Sequence, residues 1–210
     1  MRLILATLLN ASIILLSSAE EIKFKDEIPP EYSKALMTKE AVELESNIKN
    51  LTDEEKIIAR KLGYFVVVRN MSVDERMAGF ENILGDNIQV MKQKNLIRKA
   101  IELNQEMLDD LYTKTYPALS EGSKHFYDQI ADLVEKDYVK MSMTSSERVQ
   151  RIYWELTKEL FRETGEQVVD EAKRVTDAIL KHPKKPEMRK LNQEIYEKTN
   201  YLPLKVALYA

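Results

Sequence analysis

Residues 86–115 read DNIQVMKQKNLIRKAIELNQEMLDDLYTKT. Apolar side chains recur here at three- and four-residue steps. Leu96, Ala100, Leu103, Met107 and Leu111 form one stripe, and Ile97, Ile101 and Leu108 form a second beside it. A period of 3.6 residues puts both stripes on one broad face of an α-helix. A face this wide predicts a long helix over 86–115 that touches neighbours on more than one side.

The same period continues outward from this stretch. Phe126, Ile130, Leu133, Val134 and Tyr138 share one helical face, as do Val149, Ile152, Tyr153, Leu156 and Leu160, and again Val168, Ala172, Val175 and Ile179. The one β-like run, Tyr64-Phe65-Val66-Val67-Val68, continues a helical pattern and has no partner strand, so it reads as buried helix. Only five glycines and six prolines punctuate the 210 residues, and most of the remainder are good helix formers. Thr52-Asp53-Glu54-Glu55 and Ser72-Val73-Asp74-Glu75 have the form of capping boxes. Ser120 and Ser145 are further cap candidates, and Gly85, Pro117 and Pro183 mark stops. Helices are expected at about 30–36, 39–48, 53–69, 73–84, 86–115, 121–139, 146–163, 166–181 and 186–199. The fold class is therefore all-α, a single compact domain of about nine or more helices. After the last helix the tail 201–210 is apolar and is expected to pack back on the body or to cover an opening.

The N-terminus begins Met1-Arg2, continues with a mostly apolar run from Leu3 to Leu16, and reaches small residues at Ser17-Ser18-Ala19. This is the pattern of a secretory signal, 1–19, leaving 20–210 as the helical domain and predicting secretion. The run is shorter than the ~20 apolar residues of a spanning helix. The chain contains no cysteine, which excludes disulfide scaffolds, thiolate metal sites and thiol catalysis. A net charge of −3 lacks the basic excess of a nucleic-acid binder. Asn50-Leu51-Thr52 and Asn70-Met71-Ser72 match the glycosylation acceptor pattern at Asn50 and Asn70.

Catalytic signatures are missing. There is no nucleophile elbow, zinc-protease helix or phosphate-cradling glycine loop, and no calcium loop. The two histidines, His125 and His182, have no partner constellation. The expectation is a non-enzyme with no cofactor and no metal. What remains is apolar surface on helices, and periodicity alone does not separate a packed core from a lined pocket.

Three segments carry a resemblance: Ile28-Pro29-Pro30-Glu31-Tyr32, then Asn50-Leu51-Thr52-Asp53-Glu54-Glu55-Lys56, then Leu119-Ser120-Glu121-Gly122-Ser123-Lys124-His125-Phe126 followed by Ile130. In order and spacing they resemble the nematode fatty-acid and retinol-binding proteins, over roughly 22–182. Residues 64–71 are more β-branched and aromatic than that pattern, and the chain continues beyond Pro186. The resemblance implies a wedge-like helical body with an internal apolar cavity, and a secreted carrier whose partners are fatty acids and retinol. Transient membrane contact during ligand transfer, through the basic 181–185 segment or the apolar tail, goes with that role. The expected lining is Ile58, Leu62, Phe65, Ile97, Ile101, Leu108, Phe126, Ile130, Ile152, Leu156, Leu160, Val168, Val175 and Ile179. A fatty-acid carboxylate needs a partner at the cavity mouth, because an unpaired buried charge is costly. Arg60, Arg98, Lys124, Arg148 and Arg151 stand beside the apolar stripes as candidates. The alternative is a secreted helical protein with a solid core that works by surface contact, as an antigen or host-protein binder, and carries no ligand.

Overall fold

A computed structural model describes residues 39–68, 70–138 and 166–208, with helical backbone also at 155, 159 and 162. Among the described residues the fold is all-α. The elements are α1 (Lys39–Lys49), α2 (Asp53–Val67), α3 (Val73–Leu84), α4 (Ile88–Met91) and α5 (Lys94–Asp110). A π-helical turn (Leu111–Thr115) and a 3₁₀ turn (Tyr116–Ala118) follow, then α6 (Glu121–Tyr138), α7 (Glu166–Leu180), α8 (Lys185–Thr199) and α9 (Leu202–Ala207). The expected helices at 30–36 and 146–163 fall largely or wholly outside the described residues, as does the Ser145 cap.

Both capping boxes form. Thr52 Oγ1 accepts from the Glu55 N–H at 3.2 Å, while the Glu55 carboxylate accepts from the Thr52 N–H at 2.9 Å. Ser72 and Glu75 repeat the exchange at the start of α3, at 3.2 and 2.7 Å. Each box satisfies donors that the first helical turn leaves without partners.

The stretch 86–115 is helical but not continuous. Asn87 Oδ1 accepts from the Val90 N–H at 3.1 Å and starts the short α4. The chain then turns at Lys92–Gln93 before α5 begins. At the other end Pro117 cannot donate a backbone hydrogen bond, and the last turns widen and then tighten instead of continuing as α-helix. The broad face of α5 behaves as its pattern predicts. Ile97, Ala100, Ile101, Leu103, Met107 and Leu108 are all buried. The helix packs against α2, α3 and α8.

One large apolar cluster joins α2, α3, α5, α6, α7, α8 and α9. The Tyr64–Val68 run lies in it as helix and helix end, with Tyr64, Val66 and Val68 buried. A smaller cluster joins Leu44 and Ile48 of α1, Leu51, Ala59 of α2 and Val206 of α9. Full burial of each such side chain stabilises the fold by roughly 1.5–3 kcal/mol relative to exposure. The apolar tail packs back on the body. Asn200 takes the left-handed conformation with φ 47° and ends α8, as Asn tolerates better than most residues. Pro203 then lies in the first turn of α9, which packs against α2, α1 and α8 with Leu204, Val206 and Ala207 buried.

Candidate ligand site

The described part of the expected lining converges. Leu62 of α2, Ile97, Ile101 and Leu108 of α5, Phe126 of α6, and Val175 and Ile179 of α7 belong to the one large cluster, with Ile58 and Phe65 half-buried against it. These side chains come from four helices and meet because each apolar stripe faces the same interior. Leu62 and Ile101 have no solvent exposure. The side chains of Ile130 and Val168, and the whole of Ile152, Leu156 and Leu160, lie outside the described residues.

The proposed carboxylate partners sit in different places. Arg98 is partly exposed and meets Asp74 across helices at 2.6 Å. Lys124 pairs with Glu121 one turn away at 2.7 Å, at the start of α6. Arg60 is more enclosed, and burial lowers its pKa against the opposing pull of Asp53. Arg148 and Arg151 lie outside the described residues. Both glycosylation candidates are exposed in turns, Asn50 after α1 and Asn70 between α2 and α3.

Arg76, Glu171 and Lys185 are the buried charged side chains among the described residues, and the first two lie against helix ends. Arg76 of α3 has no solvent exposure. Its guanidinium donates to the carbonyls of Phe65 at 2.9 Å, Val66 at 2.8 Å and Met71 at 3.1 Å, and to Gln105 Oε1. Asn104 Nδ2 donates to the same Val66 carbonyl at 2.8 Å. At Phe65 and Val66 these groups satisfy carbonyls that the end of α2 leaves without helical partners. Burial lowers the Arg76 pKa to about 10, opposed by Asp109, so the side chain stays charged at neutral pH.

Glu171 of α7 is the second. It accepts from the Ser120 N–H at 2.8 Å, from Ser120 Oγ at 2.7 Å, from Ser123 Oγ and from Gln167 at 3.3 Å. Burial pushes its pKa up, but the hydrogen bonds from Ser123, Ser120 and Gln167 outweigh it, and the carboxyl lies below its ordinary value. Ser120 also accepts from the Ser123 N–H at 3.3 Å, so it caps α6 as its sequence predicts. On the other flank of α6, Tyr116 donates to Asp128 at 3.0 Å, and burial together with that carboxylate raises the phenol's pKa.

Near the surface, a half-open cavity of about 290 Å³ lies between α1, α8 and α9, lined by Lys39, Glu43, Lys185, Met188, Arg189, Asn192, Gln193, Lys205 and Leu208. No expectation from periodicity located it. Its members come from both ends of the described chain, and the only sequence cues were the basic segment before α8 and the apolar tail.

Among the described residues no group of three His, Asp or Glu side chains is placed to hold a metal, and no helix is long and apolar enough to cross a membrane. A scan against protein-family models finds no match, and neither the curated proteins nor the solved structures yield a significant relative.

Proposed function

We propose that this protein is a secreted carrier for fatty acids and retinol that takes the apolar part of its ligand between α2, α5, α6 and α7. The observation that supports this reading is the convergence of Leu62, Ile97, Ile101, Leu108, Phe126, Val175 and Ile179 in one cluster drawn from those helices. Binding sites for apolar ligands are lined in this way, with few polar groups. Moving a ~16-carbon chain out of water contributes about 12 kcal/mol at roughly 0.8 kcal/mol per methylene. Association and ordering remove an estimated 4–15 kcal/mol, which leaves room for micromolar affinity. Retinol, which has no charge, is held by apolar contact alone, whereas a fatty acid also needs a cation or water for its carboxylate.

Displacement of a fluorescent fatty-acid probe by oleate tests the proposal. Saturable probe enhancement that oleate and retinol both reverse is the expected result. No enhancement at micromolar protein overturns it. Membrane contact during transfer belongs to the same proposal. In the basic 181–185 segment Lys181 and Lys184 are exposed and Lys185 is buried, so the first two would meet anionic vesicles.

A second reading has its own support. Complete enclosure of Leu62 and Ile101 by protein atoms is what a solid-core protein working through its surface would have. Organic extraction of the protein from its natural source separates the two, because a solid core releases no lipid.

A further inference from the structure

The two glycosylation patterns stand at the same place in their helices. Asn50-Leu51-Thr52 leads into α2 and Asn70-Met71-Ser72 leads into α3, so each asparagine lies two residues before an N-cap. The third residue of each pattern supplies the capping hydroxyl. Thr52 Oγ1 accepts from the Glu55 N–H at 3.2 Å. Ser72 Oγ accepts from the Glu75 N–H at 3.2 Å and donates to the Glu75 carboxylate at 2.9 Å. The hydroxyl that an acceptor pattern must offer is therefore taken up by the first helical turn once the helix is capped.

The two asparagines differ in what the fold already asks of them. Asn70 interacts within the chain. Asn50 is exposed. Its backbone N–H donates to the Asn47 carbonyl at 3.2 Å, and its side-chain amide has no hydrogen-bond partner among the described residues. Leu51 beside it is 5 % exposed and belongs to the cluster of α1, α2 and α9. That seated leucine anchors the turn, while Asn50 stays at the surface. A bulky polar group on Asn50 displaces no hydrogen bond of the fold, whereas one on Asn70 competes with an existing interaction.

We propose that Asn50 carries an N-linked oligosaccharide, attached before α2 is capped. The Asn50 amide nitrogen forms a bond to the anomeric carbon of an oligosaccharide carried on a lipid pyrophosphate. The bond from that carbon to the pyrophosphate oxygen breaks, the lipid pyrophosphate leaves with the electron pair, and the amide gives up one proton. Once Thr52 and Glu55 have exchanged their hydrogen bonds, transfer requires the cap to open and Leu51 to leave its cluster. The modification is thus set during synthesis and not added to the folded chain. The proposal rests on the secretion part of the proposed function, because the chain meets the donor lipid only inside the export pathway. It does not depend on what the interior binds.

Translation of the full chain in the presence of sealed microsomes tests it. Protection from added protease reports import. An amidase that strips N-glycans leaves an aspartate at each modified position, which mass spectrometry locates. Modification of Asn50 in the protected chain is expected. It should be lost in Asn50→Gln and kept in Thr52→Ser, which preserves both the pattern and the cap hydroxyl. Folded, unmodified chain added after synthesis to detergent-opened microsomes should acquire at least about tenfold less glycan at Asn50, since both the cap and Leu51 must be released. An imported chain whose Asn50 is bare, or one modified at Asn70 in its place, overturns this proposal and leaves secretion standing. A chain that stays outside the microsomes overturns secretion, and the glycan with it. Equal modification of the folded chain overturns the order of events.

Discussion

Arg76 and Glu171 are both buried charges, and each meets the end of a helix. Arg76 donates into carbonyls at the C-terminal end of α2, where the helix dipole is negative. Glu171 accepts from donors at the N-terminal end of α6, where it is positive. The two ends differ in what their partners can do alone. The Phe65, Val66 and Met71 carbonyls are fixed in the backbone and cannot turn to other donors, and only Val66 keeps a second one, from Asn104. Three of the groups facing Glu171 are side chains, two serine hydroxyls and the Gln167 amide, which can rotate to other partners. A buried charge on rigid backbone acceptors is therefore worth more than one on mobile hydroxyl donors.

The largest effect expected from this contrast is at Arg76. Replacing it by Met keeps the apolar stem and removes every donor. The cost should be about 3–5 kcal/mol, the range for breaking a buried charged arrangement by deleting one partner. Arg76→Lys should recover only part of this, because an ammonium cannot reproduce the planar fork that reaches several carbonyls. Urea unfolding with an unchanged m-value measures both. A loss below about 1 kcal/mol for the Met variant would mean that the carbonyls find other donors, and the contrast with Glu171 would collapse.

Glu171→Gln should cost less, about 1–3 kcal/mol, because the amide keeps one acceptor and loses only the charge-assisted part of the bonding. The pH dependence sharpens the comparison. The Glu171 carboxyl is held below its ordinary value in the folded protein. Its contribution is then complete above the unfolded value near about 4.3 and is lost as the pH falls through the lower folded value. Acid should therefore destabilise the native chain more steeply than the Gln variant, and the gap between the two should narrow below about pH 4. A gap that stays constant from neutral pH to acid would remove the charge from the explanation.

Both charges occupy inward positions that the sequence discloses only in hindsight. Arg76 falls between Val73, Met77 and Phe80, and Glu171 lies three residues before Arg174 and four before Val175, beside the stripe that includes Ala172. A search for apolar periodicity passes over a charge in such a register, although the register itself is visible. The helices were legible for the opposite reason. The stripes of α5 and α7 and the boxes at Thr52 and Ser72 depend on neighbours in sequence. The break at Lys92–Gln93 and the six-residue α9 were not legible, since one is a local backbone choice and the other is held by contacts with α1, α2 and α8. For the same reason the convergence of Leu62, Ile101, Phe126 and Val175 followed from pattern, while the cation-rimmed cavity, assembled from α1, α8 and α9, did not.

The helix ends at the surface give the next, smaller test. Thr52 caps the start of α2, the helix whose other end Arg76 closes. Thr52→Ala removes an exposed cap and should cost about 1 kcal/mol, well below the loss at Arg76. Because Thr52 and Arg76 lie at opposite ends of one helix with no shared partner, the double variant should be additive to within about 0.5 kcal/mol. A larger coupling would show that the two ends fray together.

The smallest effect belongs to Arg98, whose pairing with Asp74 at 2.6 Å is exposed to solvent. Water already satisfies both charges in the unpaired state, and holding two long side chains together costs conformational freedom, so Arg98→Ala should change stability by about 0.2–0.5 kcal/mol. Added salt should reduce even that, since exposed pairs are screened over a Debye length of about 10 Å at 0.1 M. The same variant bears on ligand binding, because Arg98 stands on α5 beside Ile97 and Ile101. If its only role is the surface pair, oleate and retinol should displace the interior probe from the variant as they do from the native chain. Selective loss of oleate binding, with retinol unaffected, would assign Arg98 to the carboxylate instead and would show that its bond to Asp74 opens when a fatty acid enters.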